Sequence, residues 1–207
     1  SDWEMKCIDR IDSGDRQVFA TSMDERTHTL FTGGCGLLQQ WDLSGGQLQS
    51  TYNCNMGEHG NVTVLEAHPH EEILAVGTEK CLNVIDSRIR AGFGEHAMTF
   101  KASGLAPKVS ATTWIGDETI VVSHGSASFN QAEINIWDIR NSSKPLRKHK
   151  HNSELHCLAN WPGSRDTVGC FIGGGTDHHA CMFDPQLRPD VIASENMLWG
   201  TQVMPPT

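Results

Sequence analysis

Four dipeptides, each an aromatic or aliphatic residue followed by aspartate, recur along this chain at intervals of roughly 45 to 50 residues. They are Trp41-Asp42, Ile85-Asp86, Trp137-Asp138 and Phe183-Asp184. A repeat of this length predicts an architecture of similar units stacked on one another. Units of this kind present loops on a rigid frame, so the period also favours binding over catalysis.

Each repeat contains three short runs of β-branched and aliphatic residues separated by polar, Gly or Pro turns, which predicts strands. In the third repeat Ile134 and Ile136 alternate with Glu133 and Asn135, as in a half-buried strand. A fourth, more polar run follows each aspartate, at 47–52, 97–101, 145–149 and 190–193. Four antiparallel strands form a β-propeller blade, so we expect an all-β propeller of about four four-stranded antiparallel blades and almost no helix.

The terminal dipeptides, strand lengths and upstream histidines make residues 17 to 194 similar to the WD-repeat β-propeller family. The resemblance implies one WD-repeat region over 1–207, with blades at about 17–52, 60–101, 108–149 and 154–194. It implies that Trp41, Trp137 and Phe183 pack between neighbouring blades. It makes Asp42, Asp86 and Asp138 structural blade residues. It further implies that His151 pairs with Asp177, the aspartate of the turn before the last strand.

Four such blades nearly use up the 207 residues, whereas the family usually closes a ring of seven or eight. An open arc leaves sheet faces uncovered. Each large apolar side chain left exposed there lacks the roughly 1.5–3 kcal/mol of stabilisation that its burial would give. Three explanations stay open. The chain is part of a larger propeller, it is completed by another chain or a missing segment, or it is a small self-sufficient propeller. We expect its two ends to meet in one blade or to be covered by another chain or segment.

Composition narrows the class of protein. The net charge of −9 argues against non-specific nucleic-acid binding, which needs a basic face. No apolar run is long enough for a membrane span, so no membrane insertion is expected. Seven cysteines without a CxxC pair indicate a reducing compartment, hence the cytoplasm or nucleus.

Catalytic and metal-binding patterns are incomplete. Ser123 and His124 with Asp117 lack a nucleophile elbow. His178 and His179 are adjacent on the chain, and adjacent residues of an extended chain point to opposite sides, so they are poorly placed to share one metal ion. We therefore predict no enzyme activity, no cofactor and no metal.

Two repeats carry an arginine two places after the aspartate, at Arg88 and Arg140. The pattern is similar to one by which WD-repeat substrate receptors dock on the adaptor of a cullin-RING ubiquitin ligase. Such arginines would project from one face, one per blade, and could pair with acidic groups. The alternative is that each arginine caps its own blade.

Binding residues are often found on the longer loops of a rigid frame. The other candidate protein-binding residues are therefore those in loops outside the strands. They are Phe93, the His124 and Phe129 loop, and His149 in a small basic stretch. Each aromatic is either an interface anchor or is packed over the blade edge. His149 either meets an acidic partner or is solvated.

The sequence thus favours a non-enzymatic WD-repeat scaffold that mediates protein–protein interactions within a larger intracellular complex. One alternative is a substrate receptor of a cullin-RING ubiquitin ligase, based on Arg88 and Arg140. An alternative of another class is a propeller enzyme or a metal-binding protein. Metal analysis of the purified protein would distinguish that class from a scaffold.

Overall fold

The computed structural model describes residues 17–54, 59–88, 98–101, 107–126, 131–161 and 169–184. These residues form fifteen strands in four antiparallel sheets and contain no helix. Sheet A comprises β1 (Val18–Asp24), β2 (Thr29–Gly34), β3 (Leu37–Asp42) and β4 (Gln47–Asn53). Sheet B comprises β5 (Val62–Ala67), β6 (Ile73–Thr78), β7 (Leu82–Asp86) and β8 (Met98–Phe100). Sheet C comprises β9 (Val109–Trp114), β10 (Thr119–Ser126), β11 (Gln131–Asp138) and β12 (Arg147–His151), and sheet D comprises β13 (Leu155–Asn160), β14 (Phe171–Gly175) and β15 (Ala180–Phe183).

In every sheet the strands are neighbours in chain order, as expected for consecutive hairpins. The turns carry residues that tolerate a positive φ. Gly36 between β2 and β3 has φ 68°, and Gly46 between β3 and β4 has φ 62°. A glycine adopts this conformation at no steric cost, so these two positions let the chain reverse within two to four residues.

The sheets are stacked in chain order with their first strands side by side: β1 contacts β5, β5 contacts β9, and β9 contacts β13. The backbone N–H of Ala67 donates to Ser22 Oγ at 2.8 Å, and Thr63 Oγ1 donates to the Val109 carbonyl at 2.8 Å. These bonds tie β5 to the first strand on either side. Phe19, Thr63, Ser110 and His156, one from each first strand, line a single cavity of about 300 Å³.

Three hydrophobic clusters fill the spaces between successive sheets. Between A and B lie Phe31, Leu38, Val62, Leu74 and Ile85 among others. Between B and C lie Ala75, Val84, Phe100, Val109, Trp114, Ile120 and Trp137 among others. Between C and D lie Val121, Ile134, Ile136, Leu155, Phe171 and Phe183 among others. Each cluster contains residues from the two sheets that flank it. The apolar residues on one face of a sheet are therefore buried by the neighbouring sheet.

At two of these junctions, a glycine near the end of a second strand lets the next sheet lie close to it. A Cβ on Gly33 would lie 2.4 Å from Val62 Cγ1, and one on Gly77 would lie 2.6 Å from Val109 Cγ1. In both cases the neighbour is the first residue of the next sheet's first strand. Glycine is therefore required for packing at these two positions.

The expected all-β, antiparallel organisation is confirmed. The fourth strands differ slightly from their predicted positions: β8 is only Met98–Phe100, and β12 starts at Arg147 and ends at His151. The predicted run at 190–193 and both chain ends, 1–16 and 185–207, lie outside the described residues.

Trp137 and Phe183 lie in clusters that join two sheets, as expected. Trp41 is buried, but it is in none of the clusters formed by the described residues. The turn at Gly116-Asp117 precedes β10 and His124 lies near the other end of that strand, while residues 127–130 lie outside the described residues. No helix among the described residues has the length and apolarity needed to cross a membrane.

Candidate protein-binding face

One end of the stacked sheets carries the turns that join the first strand to the second in sheets A, B and C. We call this end the turn face; it comprises the turns at 24–28, 68–72 and 115–118 together with the residues that directly follow β3, β7 and β11. Arg26 ties the first turn to the second. Its guanidinium donates to Asp24 Oδ2 at 2.9 Å, to the Glu71 carbonyl at 2.7 Å and to the His70 carbonyl. Asp24 is buried, and the guanidinium of Arg26 balances the charge of its carboxylate.

His68 ties the second turn to the third. Its Nδ1 accepts hydrogen bonds from the backbone N–H groups of His70 at 3.1 Å and Glu71 at 2.8 Å. The proton therefore sits on Nε2, which donates to the Asp117 carbonyl at 3.1 Å. The ring packs edge-on against Trp114 at 4.6 Å, and burial lowers the pKa of His68. This histidine is thus a neutral structural link between sheets B and C, a role that the sequence did not indicate.

The two arginines identified in the sequence lie on the turn face in the same arrangement. Arg88 donates through Nε and Nη2 to Asp86 at 2.9 and 2.6 Å, and its Nε lies 3.9 Å from Glu72 Oε2. Hydrogen bonding and charge from Asp86 raise the pKa of Arg88, and the Arg88 side chain lowers the pKa of Asp86. A carboxylate on each side therefore holds the guanidinium in place.

Sheet C repeats this arrangement. Arg140 donates to both oxygens of Asp138 at 2.9 and 2.6 Å and lies 2.6 Å from Glu118 Oε2. The Arg140 side chain is the main cause that lowers the pKa of Asp138 to about 2. Side chains of Arg88 and Arg140 are 68% and 64% exposed. Both arginines are thus exposed on one face and also pair within their own sheets, and docking on an adaptor stays a prediction.

We call each set of aspartate, arginine and glutamate an acid–arginine bracket. Sheet A has none after its third strand. Asp42 accepts a hydrogen bond from the backbone N–H of Ser44 at 2.8 Å, as Asp86 and Asp138 do from Arg88 and Arg140, but serine has no guanidinium. A cleft of about 560 Å³ opens beside the sheet C bracket, between Glu71 of sheet B and Asp117 of sheet C. The turn face therefore offers fixed charges of both signs around a cleft between two sheets.

The other predicted binding residues are distributed differently. His124 is fully buried; its Nδ1 lies 3.2 Å from the Pro107 carbonyl, and its Nε2 has no hydrogen-bond partner among the described residues. This burial removes His124 from the surface set that we expected, because His124 lies within β10 on the side of Ile120 and Val122, which faces sheet B. His149 is half-buried, with its ring 5.9 Å from Phe183. Phe93 and Phe129 lie outside the described residues.

A second polar group lies at the junction of sheets C and D. Donor atoms of His151, Asp177 and Cys181 all lie within 4.8 Å of one another. Ser153 Oγ is 3.1 Å from His151 Nδ1, and the Ser153 hydroxyl also bonds the Asp177 carboxylate. The expected pair of His151 and Asp177 is thus close, with a serine bonded to both. Sequence reasoning missed Ser153 and Cys181, since neither belongs to a repeated motif.

Comparison with known proteins assigns no family to the chain. A scan against protein-family models gave no match, and a search of curated proteins also gave none. The functional conclusion therefore depends on the stacked sheets and the turn face.

Proposed function

We propose that this chain is a WD-repeat propeller region that acts as a non-enzymatic scaffold, holding partner proteins in an assembly in the cytoplasm or nucleus. Three features support the propeller. The four sheets follow chain order, their first strands lie side by side, and all four first strands line one cavity. Blades of a propeller are arranged in this way around a central channel. The described cysteines are free, which suits a reducing compartment.

The outer faces of the first and last sheets support completion of the ring by other residues or by another chain. Met23 and Leu48 are 48% and 46% exposed on sheet A, on the side away from sheet B. Met182 is 44% exposed on the side of sheet D away from sheet C. An apolar sheet face is stabilised when another sheet covers it, as at the three described junctions.

The repeated acid–arginine bracket is the observation that carries the scaffold proposal. Arg88 and Arg140 are held by flanking carboxylates before any partner binds, so little side-chain entropy is lost when one does. Guanidinium groups fixed in this way favour a partner with a matching pattern of charge, and they give specificity more than affinity. Hydrogen bonds from Arg26 and His68 link the underlying turns to one another.

The scaffold proposal is tested by partner capture with matched variants. The double variant Arg88→Ala plus Arg140→Ala removes two positive charges from the turn face, and Lys108→Ala plus Lys150→Ala removes the same charge elsewhere. We expect quantitative affinity capture from cell extract to lose a defined set of proteins with the first variant only. Equal capture by both variants and the parent chain would show that the turn face binds no partner.

A substrate receptor of a cullin-RING ubiquitin ligase is the second candidate, favoured because the two arginines are exposed on adjacent sheets. Purified adaptor protein of such a ligase is expected to bind the parent chain and to lose binding to the Arg88→Ala plus Arg140→Ala variant. Absence of adaptor binding, or binding unchanged by the two substitutions, would remove the ligase candidate and leave the scaffold proposal intact.

A further inference from the structure

We propose that His151, Asp177 and Cys181 form a binding site for a divalent cation of the zinc class at the junction of sheets C and D. Their donor atoms are an imidazole nitrogen, a carboxylate oxygen and a thiol sulfur, all within 4.8 Å of one another. In a tetrahedral zinc site such donors are about 3.3–3.6 Å apart. Small side-chain rotations therefore suffice to close the three donors around one ion.

Separate parts of the fold bring the three ligands together. His151 ends β12 in sheet C, Asp177 lies in the turn before β15, and Cys181 lies in β15 of sheet D. The site thus bridges two sheets. Asp177 and Cys181 are near each other in the sequence, and His151 is distant from both. The packing of the two sheets brings the three residues together, so no short sequence motif marks the site.

The turn that carries Asp177 also places a second histidine beside that aspartate. His178 has a φ of 63°, a left-handed conformation that reverses the chain and breaks the usual alternation of side chains. The backbone N–H of His179 donates to Asp177 Oδ1 at 3.2 Å, and His179 Nδ1 lies 3.9 Å from Asp177 Oδ2. His179, one histidine of the adjacent pair, therefore lies beside Asp177, and the expectation that His178 and His179 do not share one ion is unaffected.

The donor chemistry selects the class of ion. Thiolate and imidazole are ligands of zinc and related transition metals, whereas calcium and magnesium prefer oxygen donors alone. All three residues are partly exposed, so an ion and water can enter from solvent. Binding would release the thiol proton of Cys181, because the thiolate is the form that ligates.

A purely structural role accounts for only part of the cluster. Ser153 joins His151 to Asp177 by hydrogen bonds, and this link alone would hold the end of β12 against sheet D. That link does not involve the Cys181 thiol, whose side chain also packs against the hydrophobic cluster between sheets C and D. The decisive variant is therefore Cys181→Ser, which keeps the His151, Ser153 and Asp177 link and removes the thiolate ligand.

Zinc affinity of the 207-residue chain tests the proposal, measured under reducing conditions by competition with a chromogenic chelator. We expect one site per chain, weakened at least 100-fold in Cys181→Ser. The control is Cys157→Ser, a cysteine of the same sheet that is exposed and whose Sγ bonds the Gly174 carbonyl. Cobalt(II) is expected to give a thiolate charge-transfer absorption band in the parent chain and in Cys157→Ser, and none in Cys181→Ser.

Failure of the parent chain to bind zinc at one equivalent, or equal binding by Cys181→Ser, would overturn the site and assign the cluster to structure alone. His151→Gln and Asp177→Asn are also expected to weaken binding, with circular dichroism as the check on folding. If His151→Gln unfolds because it loses Ser153 and Phe183, the Cys181 and Asp177 variants still decide. None of these outcomes bears on the turn face.

Discussion

Trp41 in sheet A and Trp137 in sheet C occupy equivalent positions on the third strand, yet they are stabilised by different contacts. Trp41 is opposite Leu30 on the second strand, and its Nε1 donates to the hydroxyl of Thr32 at 3.0 Å, two residues further along that strand. The ring is buried but belongs to no cluster of the described residues. In sheet A, therefore, a hydrogen bond within the sheet orients the tryptophan.

Trp137 is opposite Ile120, so the position that matches Thr32 is Val122, which has no hydroxyl. The Trp137 Nε1 is buried and has no hydrogen-bond partner among the described residues. Its ring instead packs edge-on against Phe100 of sheet B, with the ring centres 5.1 Å apart. An unpaired buried N–H costs about 1–3 kcal/mol. Burial of the large ring between two sheets outweighs this cost.

Trp137→Ala is expected to have the largest effect among these tests. Removing the ring leaves a cavity between sheets B and C and should lower the free energy of unfolding by about 3–5 kcal/mol. Chemical denaturation followed by circular dichroism measures this change. Trp41→Ala is the matched variant, and we expect a smaller loss because no cluster between described sheets collapses. A loss in Trp41→Ala that equals or exceeds that in Trp137→Ala would show that the two sites do not differ.

Glu66 lies at the same junction between sheets B and C, where its backbone carbonyl accepts a hydrogen bond from Trp114 Nε1 at 3.3 Å. Its carboxyl group tests how this junction responds to charge. Burial raises the pKa of its carboxyl group from 4.5 to about 7. The folded chain therefore holds this proton where the unfolded chain has lost it. Stability is expected to fall as pH rises from 4.5 to about 7 and then to level off.

Each pKa unit corresponds to about 1.4 kcal/mol, so the contribution of Glu66 is at most about 3.5 kcal/mol. Glu66→Gln should remove this fall and be more stable than the parent chain at pH 8, with unfolding measured at both ends of the range. Glu25→Gln, at an exposed position of the first turn, is the control and should leave the profile unchanged. A Glu66→Gln profile parallel to that of the parent chain would contradict the assignment.

Trp41→Phe and Trp137→Phe isolate the hydrogen bond from the packing. Trp41→Phe deletes the bond to Thr32, whereas Trp137→Phe deletes an N–H that has no partner. We therefore expect Trp41→Phe to cost about 1 kcal/mol more than Trp137→Phe. Thermal and urea unfolding of both variants measure this difference, and equal costs would mean that the bond to Thr32 contributes nothing.

Val122→Thr gives the smallest effect and the sharpest test of the comparison. It introduces into sheet C a hydroxyl at the position that corresponds to Thr32 in sheet A, where we expect it to accept a hydrogen bond from Trp137 Nε1. The single change should be close to neutral, because a new hydrogen bond offsets the cost of burying a hydroxyl. A double-mutant cycle with Trp137→Phe is expected to give a coupling energy of about 0.5–1 kcal/mol. A coupling energy of zero would mean that the two positions are not equivalent in geometry.

Much of the fold follows from local patterns. Alternating apolar positions and turn residues predicted the strands, and the hydrophobic–aspartate dipeptides lie where the third strands end. Periodicity of this kind depends only on near neighbours in the chain, which is why it is readable there. The limits of β8 and β12 were less accurate, because edge strands end where their partner strand and the adjoining loop allow.

The residues of the candidate sites were harder to predict than the strands, because their burial and contacts depend on which sheets pack together. His124 was expected on a loop, but β10 extends to Ser126 and the neighbouring sheet covers that side, so the histidine is buried. His68 links sheets B and C through a backbone carbonyl, and every residue type supplies such an acceptor. Cys181 meets His151 only because two sheets pack together at that junction.

By itself, then, the amino-acid sequence determined the β-strand content, the repeat, and which side chains of a strand share a face. Tertiary structure alone decided which of those faces another sheet covers, and hence that Arg88 and Arg140 stay exposed while His124 and His68 do not. The reason is that strand formation depends on adjacent residues, whereas burial and hydrogen-bond partners depend on residues brought together from distant parts of the chain.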